Sequence, residues 1–564
     1  MPVRGDRSGE TLFIDARGIP SGTTIDSDIC IVGAGAAGIA LALELAASDM
    51  QVCLLESGGF DAAAATQDLA AGDSVGSCYS PLETLQLRFF GGNTNAWGGW
   101  FRGLDDIDFR PRGWVDDSGW PFDAHALAPY LERVHALCEV GAHDYAVPSI
   151  AATAHPRARL IPFDPARVET ALYRFSAPTR FGQVYRQAIA ASRTVKCLLH
   201  AHALKVETTE DARRVTAVEV GSLTGGRLKV AARMFILASG AIENARLLLL
   251  SNDAAPRGLG NHDDLVGRYL MDHPHLRRVL LPGPQRFPFE LYGLNLRDRG
   301  FALGLSIPPV LQQKERMLNY KASIYPVFYG QSSRGWESFR DLVVKLSRKW
   351  RTDPYDRMRL PFRPKSVGLK QLAALACRFD GVLLGALAQA LKSETLVSGL
   401  VLESKPEQAP NWASRVTLQP RRDPFGLPRA RVDWRLLPID RHTTASAEAI
   451  IDAELQRLGL GRLAPQAAEE RDQWPAEFAG GWHQIGTTRA HADPRRGVVD
   501  GNCQVHGVGN LFVAGASVFP TGGSVSPMPT LLALALRLAD HVKRTLQAPL
   551  AIRAHPEAVS VEGD

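Results

Sequence analysis

The sequence has little of what marks the specialised protein classes. Its seven cysteines (Cys30, Cys53, Cys78, Cys138, Cys197, Cys377 and Cys503) are odd in number, widely spaced and free of any CxxC or Cys/His cluster. That pattern excludes a disulfide scaffold and a zinc module, and it fits reduced thiols in a cytoplasmic setting. No segment reaches the roughly 18 to 20 uninterrupted apolar residues of a membrane-spanning helix. The opening stretch holds Arg4, Asp6, Arg7, Glu10, Asp15 and Arg17 and no apolar run of signal length, so a secretory signal is not expected. No internal repeat or low-complexity tract is present. A net charge of +5 over 564 residues is small, and Lys and Arg are scattered, so neither nucleic acid nor an acidic substrate is implied. A chain of this length exceeds what one core supports, and two domains are expected.

What the sequence does have is glycine in significant places. Ile29 to Val32 reads as a buried parallel strand and Ala36 to Ala47 as the helix after it, with Gly33-Ala34-Gly35-Ala36-Ala37-Gly38 between them. In such a turn Gly33 permits the bend, Gly35 lets backbone amides approach a pyrophosphate, and Gly38 allows close helix-to-strand packing. A second strand over Gln51 to Leu55 ends in Glu56, where a ribose hydroxyl needs an acceptor. Nucleotide binding follows, but NAD and FAD enzymes share this fingerprint.

Three further segments bear on the choice. Residues 88 to 100 contain Gly91-Gly92-Asn93-Thr94-Asn95-Ala96-Trp97-Gly98-Gly99. Met234 to Ser251 reads as a strand, a turn at Gly240 and an apolar helix. The C-terminal part contributes His483-Gln484-Ile485-Gly486-Thr487 and a second cofactor-facing strand from Asn510 through Gly515 to Pro520. Together these resemble the glucose-methanol-choline (GMC) oxidoreductases, in their bacterial branch. The resemblance is good at both ends and over 80–125 and 195–275, and thins between about 280 and 400.

The resemblance implies an α/β protein: a Rossmann-like FAD-binding domain built from 25–145, 190–280 and 481–547, with an inserted α+β substrate-binding domain over 281–480. It assigns to the cofactor Gly33, Gly35, Ala36, Ala37, Gly38, Glu56, Ser57, Gly91, Gly92, Asn93, Thr94, Asn95, Trp97, Gly98, Gly99, Val206, Ser239, Gly240, Gly515, Ala516, Ser517 and Pro527. Several relatives carry a flavin-linking histidine where Ala96 stands, so a dissociable FAD is expected. Many relatives have an aspartate where Gly515 stands; its absence removes an acceptor and leaves the amides of Ala516 and Ser517 as donors.

Members of the family oxidise an alcohol by removing its hydroxyl proton as hydride leaves for flavin N5. Histidine suits the base because its ordinary pKa is about 6.5, and the resemblance places it at His483. His273, in Met-Asp-His-Pro, and His506 also match family segments and read as structural. The second catalytic position, Asn or His before a proline in relatives, is Ser526 here. A serine hydroxyl reaches less far and assists a developing alkoxide more weakly. Either the site holds its substrate differently, or the flavoprotein carries non-oxidative chemistry (lyase, decarboxylase or isomerase) or is a redox-silent partner. The expected donor is a hydroxyl of a small organic molecule, sugar or secondary metabolite.

In the middle, Leu418 to Trp434 reads as a hairpin turning at Asp423-Pro424-Phe425-Gly426 and resembles a substrate-domain ribbon. Within the variable insertion 331–400, residues 334 to 370 hold eleven Lys/Arg against four Asp/Glu, followed by an apolar stretch from Leu372 to Leu391. Segment 334–391 reads as a solvated insertion, a membrane-surface or electron-acceptor contact, or a substrate lid. The end from about 548 reads as frayed.

Overall fold

The computed structural model describes residues 13–547 except 78, 149–158, 178, 290, 293–299, 329–396, 466–473 and 475–477. The charged and apolar halves of segment 334–391 and the tail from 548 lie outside the described residues.

The first layer is a parallel-centred sheet whose strands run in the order Phe13–Asp15, Val195–Leu199, Val52–Leu55, Thr24–Val32 and Arg227–Leu237, continuing antiparallel into Val215–Gly221 and His202–Thr208. Its central strand is apolar without alternation because both faces are covered: Ile29, Cys30 and Ile31 are fully buried. The long Arg227–Leu237 strand changes partner along its length. Its first half pairs with Val215–Gly221, and its last residues, Phe235 to Leu237, pair with Leu511–Val513 from the far end of the sequence. Val32, Leu55, Leu237 and Val513 therefore end at one edge, the place where open α/β sheets bind ligands. The Ala36–Ala46 helix covers this sheet, and the amphipathic Met528–Gln547 helix packs on it.

The second layer is an antiparallel sheet in the order Gly461–Leu463, Pro274–Pro282, Val397–Ser404, Lys321–Phe328, Phe301–Ser306, Glu169–Phe175 and Trp100–Phe101, with Ala479–Gly480 pairing to Pro274–Pro282. The Pro438–Arg457 helix seals its outer face through Ala447, Ile451 and Leu455, one helical stripe at four-residue spacing and fully buried.

The domain boundaries differ from the sequence reading in three ways. The second sheet includes Pro274–Pro282, which starts before 281, and it takes Glu169–Phe175 and Trp100–Phe101 from segments still earlier in the sequence. The Arg415–Arg422 and Pro428–Trp434 hairpin does turn at Asp423 to Gly426. It pairs with Asp73–Gly76 and buries Val416, Val432 and Trp434 in the core of the first layer, so it is not a substrate-domain ribbon. The physical reason is its neighbour: Arg246 of the Ala241–Leu250 helix donates to Asp423 at 2.6 Å and to the Pro428 carbonyl at 3.0 Å, which anchors the hairpin to the nucleotide-side helix.

One buried ion pair joins the two layers. Arg112 grips Glu407 with two parallel hydrogen bonds of 2.7 and 2.6 Å, and neither side chain is more than 1 % exposed. Glu407 also accepts the Asn319 amide at 3.0 Å. Removing one partner strands a buried charge, so Glu407→Ala should cost about 3–5 kcal/mol in denaturant unfolding, whereas Arg112→Met with Glu407→Leu should restore much of it. A loss below about 1 kcal/mol for the single variant would show that the pair does not hold the layers together.

Candidate active site

A cavity of about 730 Å³ opens along the strand ends of the first sheet and continues beneath the second. At one end it is lined by Gly33 to Ala37, Glu56, Ser57 and Arg88; at the other by His273, His275, Lys405, His483, Ser524 and Ser526.

The nucleotide end is shaped by backbone. A Cβ at Gly38 would lie 1.9 Å from the Gly33 carbonyl oxygen, so the helix sits against the turn only because that side chain is absent. A Cβ at Gly35 would meet nothing within 4 Å, and Gly35 opens the Ala36–Ala46 helix without a side-chain cap. Uncapped amides beside open space suit an anionic ligand. Glu56 accepts the amides of Ala34 at 3.2 Å and Gly58 at 2.8 Å and the Ser57 hydroxyl at 3.2 Å. A carboxylate has about four acceptor sites, so room remains for a sugar hydroxyl. Burial holds this carboxyl above its ordinary value, and hydrogen bonds together with the Arg88 charge offset only part of that rise. Arg88 pairs with Glu243 at 3.1 Å and leaves its buried Nε without a protein partner. These residues fit a dinucleotide.

The far end is organised by Asp272. One of its oxygens, Oδ1, accepts the backbone amides of His273 (2.7 Å), Gly481 (3.1 Å) and His483 (2.8 Å), while Oδ2 accepts the Tyr79 hydroxyl at 2.6 Å. Two segments more than two hundred residues apart are thereby held side by side, and their imidazoles meet: His273 Nδ1 lies 2.8 Å from His483 Nδ1. His273 Nε2 lies 2.8 Å from the Gly523 carbonyl oxygen. Between Gly481 and His483, Trp482 takes φ 60°, a left-handed conformation that L side chains seldom adopt. Burial depresses all three imidazoles here: His273 to about 4, His275 to about 3, and His483 well below its ordinary value, helped by the charges of His273, His275 and Lys405. All are neutral at neutral pH.

Two family models match the chain: an FAD dependent oxidoreductase over residues 28–288 and GMC oxidoreductase over 410–535. The chain joins an FAD-dependent oxidoreductase domain to a GMC oxidoreductase C-terminal domain. The chain is 26 % identical over 343 residues to 2-methyl-1,2-propanediol dehydrogenase of Mycolicibacterium austroafricanum, a match covering 60 % of the chain and 52 % of that relative. It thus spans about half of that protein's length. It is 24 % identical to paromamine 6'-oxidase of Streptomyces fradiae over 91 % of both chains. Pyridoxine 4-oxidase from Mesorbium loti shares its fold, with TM-score 0.57, 17 % identity, and coverage of 92 % of this chain and 99 % of the other.

Within the GMC fold most residues assigned to the cofactor do line the cavity: Gly33, Gly35, Ala36, Ala37, Glu56, Ser57, Gly92, Asn93, Thr94, Trp97, Gly98, Gly99, Ser239, Gly240, Gly515, Ala516 and Pro527. Five stand behind it. Gly38 packs on the turn. Gly91 approaches the Gly182 backbone (2.7 Å from an added Cβ), so its glycine answers to protein and not to ligand. Asn95 donates to the Phe90 carbonyl, and Ser517 accepts from Asn244. The Val206 amide is spent on Ser251 at 2.9 Å, and Ala201 and Ala203 reach the cavity in its place. His483 and Ser526 line the same end. His273, read as structural, lies against His483 and lines the cavity; His506, whose Nε2–H donates to the His491 carbonyl oxygen at 2.9 Å, does not. Sequence reasoning also missed Arg88, His275 and Lys405. The Asp272-His273-Pro274 motif was the available signal for the first histidine, and nothing in the spacing marks the others.

Gly35 and Gly38 separate binding from folding. Gly35→Ala should leave the thermal midpoint of the apoprotein nearly unchanged and weaken FAD binding about tenfold or more, because only the ligand approaches that point. Gly38→Ala should lower both. Equal effects of the two substitutions in flavin titration and thermal unfolding would contradict this division.

Proposed function

We propose that this chain oxidises a CH–OH group of a small organic molecule, with His483 as general base. The carrying observation is that His483 uses Nδ1 on His273 and presents Nε2, which has no protein partner among the described residues, at the lining of the cavity. FAD, when bound along Gly33 to Ala37, supplies the two-electron acceptor for the hydrogen that leaves carbon. His483 takes the hydroxyl proton on Nε2, which burial keeps free for it at neutral pH. Lys405 and the Ser526 hydroxyl line the same end and can face the negative charge that develops on the substrate oxygen. The relatives' names, a diol dehydrogenase and a 6'-oxidase, support hydroxyl oxidation over non-oxidative chemistry. Five free, buried cysteines among the described residues favour a cytoplasmic setting, and no described helix is long and apolar enough to cross a membrane.

The test is anaerobic bleaching of the flavin by a panel of 2-methyl-1,2-propanediol, fructose and paromamine, extended to other polyols. Reduction by some member should fall about 10²–10⁴-fold in His483→Ala, and no more than about tenfold in Ser526→Ala, the worth of one neutral hydrogen bond. Reduction untouched by His483→Ala would overturn the assignment. The acid limb of kcat/KM should lie at or below about pH 6, where Asp272, raised by burial to about 6, takes a proton and His483 follows lower still. A limb at 6.5 or above would contradict a buried neutral base.

Ala96 lines the cavity and offers no atom for a covalent bond to the flavin. Acid precipitation should therefore release the flavin into the supernatant, and a yellow pellet would refute non-covalent binding.

A further inference from the structure

We infer that His273 is a positioning residue that fixes the tautomer of His483 through a one-way chain of hydrogen bonds that ends on the Gly523 carbonyl oxygen. The inference rests on His483 acting as the base, and it assigns the partner that makes it one.

The direction follows from what each atom can do. The Gly523 oxygen, 2.8 Å from His273 Nε2, can only accept, so Nε2 carries the proton. A neutral imidazole has one N–H, which leaves Nδ1 of His273 as a bare acceptor. His483 Nδ1 lies 2.8 Å from that acceptor, and two bare nitrogens at this distance would repel. The proton between them therefore belongs to His483 Nδ1. His483 Nε2 is left with its lone pair, the only state in which it can take a proton from a hydroxyl. The same logic governs the step afterwards: once Nε2 is protonated, His483 becomes an imidazolium whose Nδ1–H already points at the His273 lone pair, a charge-assisted hydrogen bond that needs no rearrangement.

Two further contacts of His273 serve this geometry. Its amide is held by Asp272 Oδ1, the oxygen that holds the His483 amide too, and its ring is edge-on to that of His483 with centroids 5.0 Å apart. His273 is 2 % exposed, so water does not compete for either nitrogen. Ser526, which stands where the family pairs its base with Asn or His, makes no described hydrogen bond with His483. The tautomer is set from the opposite side.

Two arms test the relay in holoenzyme. In protein labelled with ¹⁵N-histidine, the His483 signals, identified by their loss in His483→Ala, should show a protonated Nδ1 and a bare Nε2, and His273 the reverse. In His273→Leu the His483 ring should populate the Nε2-protonated form. The second arm is flavin reduction by whichever member of the hydroxyl panel bleaches wild type fastest. His273→Leu should slow the limiting rate about 10²-fold with flavin content and substrate Kd little changed. His273→Asn, whose Oδ1 can still accept from His483 Nδ1, should recover to within about threefold of wild type. If the leucine variant fails to hold flavin, His273→Met carries the same expectation. An Asn variant with full flavin that is as slow as the Leu or Met variant, or a wild-type His483 protonated on Nε2, overturns the relay. The two readings fail separately: loss of rate in His483→Ala but not in His273→Leu sinks the relay alone, whereas a full rate in His483→Ala sinks the base assignment.

Discussion

The arrangement depends on one carboxylate. Asp272 is 1 % exposed, and such burial is tolerable only because four hydrogen bonds surround it. Three of the donors are backbone amides on two strands of chain that have no sequence proximity. An amide held by a buried carboxylate is a stronger and more directional link than side-chain packing, and it fixes the backbones from which both imidazoles spring. The Trp482 conformation, an unfavourable one for a bulky residue, is held between two of those amides. The strain is local and the clamp that maintains it is the one that sets the histidine pair.

Behind the clamp a second set of buried polar groups braces the remaining side of the site. The Trp120 indole donates to the Thr521 hydroxyl at 2.8 Å, which donates to the Asp108 carbonyl at 2.6 Å; Asn319 donates to the Asp108 carboxylate and takes its place beside the Arg112–Glu407 pair. The Gly522-Gly523 turn that receives His273 lies on this bed, so closely that a Cβ at Gly523 would fall 2.5 Å from Asp108 Oδ2. The position of one carbonyl oxygen is thus set by contacts from the nucleotide layer and from the substrate layer together.

The sequence made the nucleotide half legible because its determinants are local. Gly33, Gly35 and Gly38 act within one turn, and the strand before them and helix after them follow from composition alone. Glu56 comes at the end of the next strand, where parallel pairing must bring it back to the turn. The catalytic half is legible only in part. His483 and Ser526 stand out through family resemblance, but the neighbour of His483 is 210 positions earlier and no periodicity joins them. Val206 and Gly91 show the reverse: the family resemblance placed them at the cofactor, whereas their closest contacts are with Ser251 and Gly182 of the scaffold. The Arg415–Trp434 hairpin was correct as local structure and misplaced as architecture, since its anchor is the long-range bond from Arg246 to Asp423.

The substitution of serine at 526 has a consequence for how the base is supported. In a site where the second catalytic group is Asn or His, that group can share the substrate oxygen and bound the position of the proton from the substrate side. A serine hydroxyl rotates, and it can donate or accept with equal ease. It therefore carries no information about which nitrogen of a neighbouring imidazole is protonated. The information must then come from a group that has no such freedom. A backbone carbonyl is one, because it cannot donate under any circumstances, and His273 passes that constraint on through a ring with one proton to place. In the proposed arrangement a serine at 526 is compatible with proton abstraction by His483, because the tautomer of that ring is set from a buried main-chain oxygen and the substrate side is left free to vary.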